Sequence, residues 1–150
     1  MKKIIFILFI SLSFIQCGND DDSIDCSTVL CKGPEFVFEF IDADTGENVL
    51  DGVFDNGVPD GFFIALGEDD ITLELGLDYA LSPSNQLGIF RFSEQFQILL
   101  PNVFEVTISY DFEAISNGCC QNYSYTNIAV TNATFEQVED ENRLFLRIFI

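Results

Sequence analysis

The chain has 150 residues, 25 of them acidic against six basic, for a formal net charge of −19. A field of that sign repels nucleic acid, and no basic patch exists to neutralise phosphates, so DNA and RNA are excluded as partners. Seventeen phenylalanines and a mean hydropathy of +0.26 exclude a disordered chain, because that much apolar surface offsets the entropy of ordering.

In chain order, Lys2 and Lys3 precede an apolar run from Ile4 to Ile15 that is broken only by Ser11 and Ser13. A helix of that length rises roughly 18 Å, short of a hydrocarbon core of about 30 Å. The run therefore has the character of a secretory signal and not of a stable span. Gln16-Cys17 closes it, and Gly18-Asn19-Asp20-Asp21-Asp22 follows at once.

This arrangement resembles the leader of a Bacteroidota lipoprotein, in the looser form with glutamine before the cysteine instead of the Leu-Ala-Gly type. The resemblance implies cleavage ahead of Cys17 and lipid on that residue, with more than one acyl chain needed for stable anchoring. The acidic stretch resembles the short signal that sends such lipoproteins to the outer face of the outer membrane; a periplasm-facing position is the alternative. Residues 1–16 are then a signal peptide, 17–25 an acidic tether and 26–150 a single domain. Asp22-Ser23-Ile24 resembles the O-glycosylation pattern of the same bacteria and makes Ser23 a candidate acceptor. Without the leader, Lys32, Arg91, Arg143 and Arg147 face all 25 acids.

Four further cysteines remain: Cys26, Cys31, Cys119 and Cys120. An even number in an exported chain points to two disulfides. A bridge between the neighbours Cys119 and Cys120 is geometrically strained, so each is expected to pair with one of Cys26 and Cys31, in either order. A four-thiolate zinc site is the runner-up, although Cys-x4-Cys with Cys-Cys departs from the usual zinc knuckles.

From Glu35 onward the apolar period is two. Strands are expected near Phe36–Ile41, Val49–Phe54, Phe62–Leu66, Ile71–Leu77, Leu87–Phe92 and Phe96–Leu100. They continue at Val103–Ile115, Tyr123–Val130, Thr134–Val138 and Arg143–Ile150. Phe104, Val106, Ile108 and Tyr110 form one inward set; Leu144, Leu146, Ile148 and Ile150 form another. The expected fold is all-β, an antiparallel β-sandwich of the immunoglobulin-like or a similar Greek-key kind, with a small barrel as the alternative.

There is no histidine, which removes Ser-His-Asp and Cys-His catalysis and the neutral-pH proton shuttle. Among 25 acids no carboxylate pair stands out for glycosidase chemistry, so no enzyme and no cofactor are expected. Asp42-x-Asp44 and Asp55-Asn56-Gly57-x-Pro59-Asp60 echo calcium loops but lack the spacing to a bidentate glutamate, and plain turns are the preferred reading. Tyr123 and Tyr125 share a strand face and could stack sugars, with burial preferred. Asn122 and Asn132 match the eukaryotic N-glycosylation pattern by coincidence. The expected function is a lipid-anchored, non-enzymatic binding or interaction module, anchored through Cys17 and partnered by an outer-membrane protein. A glycan- or calcium-binding adhesin or capture protein is the alternative.

Overall fold

Glu35–Ile41 sets Phe36, Phe38 and Phe40 on one side of an extended chain, and a strand with one such face must bury it against a second layer. The computed structural model, which describes residues 26, 30–31, 33–67, 71–139 and 143–150, supplies that layer. Ten strands occur among the described residues, with no helix. They are β1 (Glu35–Ile41), β2 (Phe63–Leu66), β3 (Ile71–Thr72), β4 (Tyr79–Leu81) and β5 (Leu87–Ile89), then β6 (Gln95–Leu100), β7 (Phe104–Asn117), β8 (Cys120–Val130), β9 (Thr134–Val138) and β10 (Arg143–Phe149).

Two five-stranded sheets pack face to face as a β-sandwich, ordered β4-β5-β1-β10-β9 and β3-β2-β6-β7-β8. One pairing departs from the antiparallel expectation: β1 and β10 run parallel, Phe36 beside Leu144 and Ile41 beside Phe149. Both lie inside their sheet, and the whole intervening chain serves as the crossover that a parallel pair requires.

The alternation places the core as expected. Phe36, Phe38, Phe40, Ile98, Val106, Ile108, Leu144, Leu146 and Ile148 are fully buried, with Phe104 and Tyr110 nearly so. Phe40 stacks on Phe104 with ring centroids 4.5 Å apart, while Phe36 meets Phe96 edge-on at 4.9 Å. β1 and β7 thus cross the sandwich with the Phe40–Phe104 contact at one end and Phe36 beside Tyr110 at the other.

One expected strand is not a strand, and another is cut to two residues. Val49–Phe54 is a chain of turns, with backbone N–H groups of Asp51, Val53 and Asp55 donating to the carbonyls of Asn48, Leu50 and Gly52. Its apolar residues Val49, Leu50, Val53 and Phe54 are spaced for turns that press one side on the core, not for alternation. Ile71–Leu77 keeps only Ile71–Thr72 as strand. The rest folds back because Asp78 Oδ2 accepts the Glu74 N–H at 3.0 Å and Gly76 adopts φ +84°. At Gly61 (φ +78°) a Cβ would stand 2.9 Å from Pro101, so only glycine lets this loop close over the β6–β7 turn.

Leu144, Leu146 and Ile148 fill the centre of one sheet, so deleting residues 146–150 should abolish cooperative unfolding and leave insoluble protein. Ile148→Ala in the full chain should cost about 2–5 kcal/mol, read from its urea midpoint, because Ile148 is completely buried.

Candidate functional site

β7 outlasts its other neighbour. β6 pairs with it only up to Ser109, and from Asp111 onward β7 is paired with β8 alone. The β7–β8 hairpin therefore projects past the sandwich as a two-stranded ribbon, an arrangement that is marginal in water without support. A bulge in β8 falls where the ribbon leaves the sheet. Register shifts between Ser109 and Asp111, and Asn127 takes φ +51° while its Nδ2 donates to Asp111 Oδ2 at 2.6 Å. The extra residue brings Tyr125 and Tyr123 to the face that Ile128 and Val130 occupy nearer the sandwich, and all four are half-buried.

Support comes from the N-terminal segment. Cys26 is bridged to Cys119 and Cys31 to Cys120, with Cα–Cα separations of 5.2 and 5.3 Å. Sequence reasoning left the order of pairing open; the chain resolves it in parallel order along the two cysteine pairs. The thiols are spent in these bridges, which leaves no four-thiolate zinc site. From the clasp the chain passes Gly33 to β1, and Cys31, Gly33, Cys119, Gln121 and Tyr123 line a cavity of about 370 Å³. Tyr123 Oη donates to Gln121 Oε1 at 3.4 Å.

The two tyrosines of the expected stacking platform separate in role. Tyr125 packs edge-on against Phe36 at 5.8 Å and Tyr110 at 5.4 Å, inside the end of the core, whereas Tyr123 stays at the cavity. Phe92 and Phe112 close the same end at 4.5 Å. Burial raises the Tyr110 phenol above its usual range and pushes Tyr125 up to about 12. Tyr110 Oη donates to the Ser93 carbonyl, while Tyr125 Oη is buried without a hydrogen-bond partner among the described residues.

The acidic turns are built as turns. Asp42 Oδ1 accepts the N–H groups of Asp44 and Thr45 at 2.9 and 2.8 Å, and these bonds, Thr45 foremost, hold its carboxyl below the usual range. Asp44 lies in the same turn, and Asp55 and Asp60 lie in the loop between β1 and β2. Among the described residues no three Asp, Glu, His or Cys side chains gather closely enough to hold a metal ion. Asn122 lies within β8, and Asn132 (φ +60°) lies in the β8–β9 turn with its Nδ2 donating to the Glu105 carbonyl at 3.3 Å. The expected leader, Cys17, Ser23 and the tether lie outside the described residues.

One buried charge was not foreseen. Asp78 is 9% exposed; its Oδ1 accepts Arg91 Nε at 2.5 Å, and that guanidinium holds the carboxyl below its ordinary value. With its other oxygen on the Glu74 N–H, it pins the β3–β4 loop and serves architecture. An aspartate between Leu77 and Tyr79 carries no local signal that would have singled it out. Comparison with protein-family models, curated proteins and solved structures finds no match.

The two bridges close nested loops, with sequence separations of 93 and 89. With one intact, the other closes only a ring of a few residues, worth roughly 2 kcal/mol in the chain-entropy model, against about 4.6 kcal/mol for the large loop. Replacing either pair by serine should therefore cost about 2 kcal/mol in urea, and replacing both about 7 kcal/mol, more than the sum of the single effects.

Tyr125→Phe, which removes an unpartnered hydroxyl, should be neutral or stabilising by up to about 1 kcal/mol at pH 7. Tyr110→Phe should cost about 1 kcal/mol. A folded-state value above the ordinary 10.0 means that stability is intact below pH 10 and falls as pH climbs through about 12. Urea midpoints between pH 10 and 12 should fall for the wild type and fall less for Tyr125→Phe.

Proposed function

We propose that this chain is a lipid-anchored lipoprotein of the cell envelope whose β-sandwich is a non-enzymatic binding or interaction module. The observation that carries the reading is the position of the clasp. Cys26 follows the lipobox-like Gln16-Cys17 by only the acidic tether, and it is oxidised against Cys119. Paired disulfides belong to exported proteins, and an export leader is what residues 1–16 resemble. The charge of −19 supports the same reading, since it keeps such a domain soluble and clear of its neighbours.

In this reading Cys17 carries the acyl chains, Ser23 in the tether is a candidate for O-glycosylation, and the domain sits on the outer membrane with its sandwich facing outward. Its partner is an outer-membrane protein. The cavity beside Tyr123 and Gln121 supports a second reading, a glycan-capture module, because an aromatic ring beside an amide is the chemistry that holds a sugar.

Intact-mass analysis of the protein from native membranes should give a chain beginning at Cys17 with acyl mass added, and Cys17→Ala should release the protein from the membrane fraction. An unmodified chain beginning at Met1 would overturn the anchor. Crosslinking on intact cells should recover an outer-membrane protein; glycan-array binding that is lost in Tyr123→Ala would favour the second reading instead.

A further inference from the structure

We propose that the clasped end of the β7–β8 hairpin docks on the lipid surface, so that the domain stands with the β6–β7 turn pointing away from the membrane. This rests on the anchor reading and adds to it which surface of the domain meets the bilayer.

The first argument is length. From Cys17 to Cys26 a fully extended chain spans at most about 30 Å, and Cys26 is bonded to Cys119 at the hairpin turn. Lipid on Cys17 therefore keeps that turn near the head-groups. From Val103 in the turn before β7 to Ile115 within it, strand rise spans about 40 Å, so the opposite end of the sandwich is carried well out of the tether's reach when the clasp faces the bilayer.

Charge supplies the second argument. From Ala114 to Phe135 no residue is charged, a neutral stretch unmatched in length elsewhere in this acidic chain, and it covers the hairpin tip and all of β8. Acids gather at the other end. Asp42 and Asp44 follow β1 where Phe40 stacks on Phe104, and Asp60 adjoins Gly61, which closes on Pro101. The tip and β8 thus add no charge of their own against an anionic leaflet, the acids on that side being those of the tether, Asp20 to Asp22 and Asp25, whereas an anionic leaflet repels the Asp42, Asp44 and Asp60 end.

The third argument is what the neutral end exposes. Leu30, in the clasped segment, is 98% exposed and Ile115 is 50% exposed. Both are apolar side chains suited to the head-group boundary, where a lipid surface would cover them.

The chain has no tryptophan, so a single introduced one is a unique fluorescence donor. Ile115→Trp and Val103→Trp make a matched pair, since both parent side chains are 50% exposed. Leu30→Trp is a third reporter at a site so open that it leaves packing untouched, and it decides the matter should Ile115→Trp fail to fold. Full-length protein from a host that exports and acylates lipoproteins would be reconstituted on phosphatidylethanolamine–phosphatidylglycerol vesicles with a dansyl head-group acceptor. Flotation is measured first, then energy transfer. Flotation with several-fold stronger transfer from positions 30 and 115 than from 103 is expected. Flotation with equal transfer, or more from position 103, overturns the docking and leaves the anchor standing. Protein that does not float overturns the anchor, and the docking with it.

Discussion

One face of β1 holds the two sheets together. Phe36 touches Phe92, Phe96, Tyr110 and Tyr125; Phe38 meets Phe96; Phe40 stacks on Phe104. These contacts run from one end of the sandwich to the other, and each aromatic pair adds about 0.5–1.5 kcal/mol to its area of burial. Because β1 lies between β5 and β10, the same strand also joins the two halves of its own sheet. The outer face of that sheet is held more loosely, by Arg147 beside Glu39 at 2.8 Å and Glu136 at 3.5 Å, the kind of part-exposed pairing that contributes little on its own.

The hairpin is a different kind of structure from the sandwich that bears it. Inside the sandwich, β7 buries alternate side chains against a facing sheet. Past Phe112, residues 113–116 are exposed and β8 is the strand paired with β7 among the described residues, while two disulfides secure the end. The change falls just before the uncharged run that begins at Ala114. The clasp and an uncharged strand lie at one end, and the acidic turns at Asp42, Asp44 and Asp60 lie at the other.

The strands whose side chains alternate strictly were legible in the sequence, as in Phe104-Val106-Ile108-Tyr110 and Leu144-Leu146-Ile148, because period two has one physical solution when a face is buried. Val49–Phe54 was misread because Val49, Leu50, Val53 and Phe54 are as apolar as a strand but are spaced for turns. β4 was missed because Tyr79-Ala80-Leu81 is too short to show a period. The parallel partnership of β1 with β10 depends on the path of the entire chain, and no local pattern encodes it. For the clasp, strain between neighbouring residues excluded one connectivity, but Cys119 and Cys120 are too alike in position for spacing to choose between the other two. The bulge at Asn127, which turns Tyr123 and Tyr125 together to the half-buried face, also left no mark beyond an asparagine able to adopt positive φ.

The nested bridges impose an order on the molecule's birth. Cys26 and Cys31 emerge from the ribosome with their partners about ninety residues behind, a delay of roughly 5–20 s at ordinary synthesis rates. For that interval their mates within the chain are each other and Cys17. The native clasp therefore closes last, after the ribbon that presents Cys119 and Cys120 has been made. Should Cys26 and Cys31 first bond to each other, that bond must be undone by thiol–disulfide exchange before the neighbouring pair can be served.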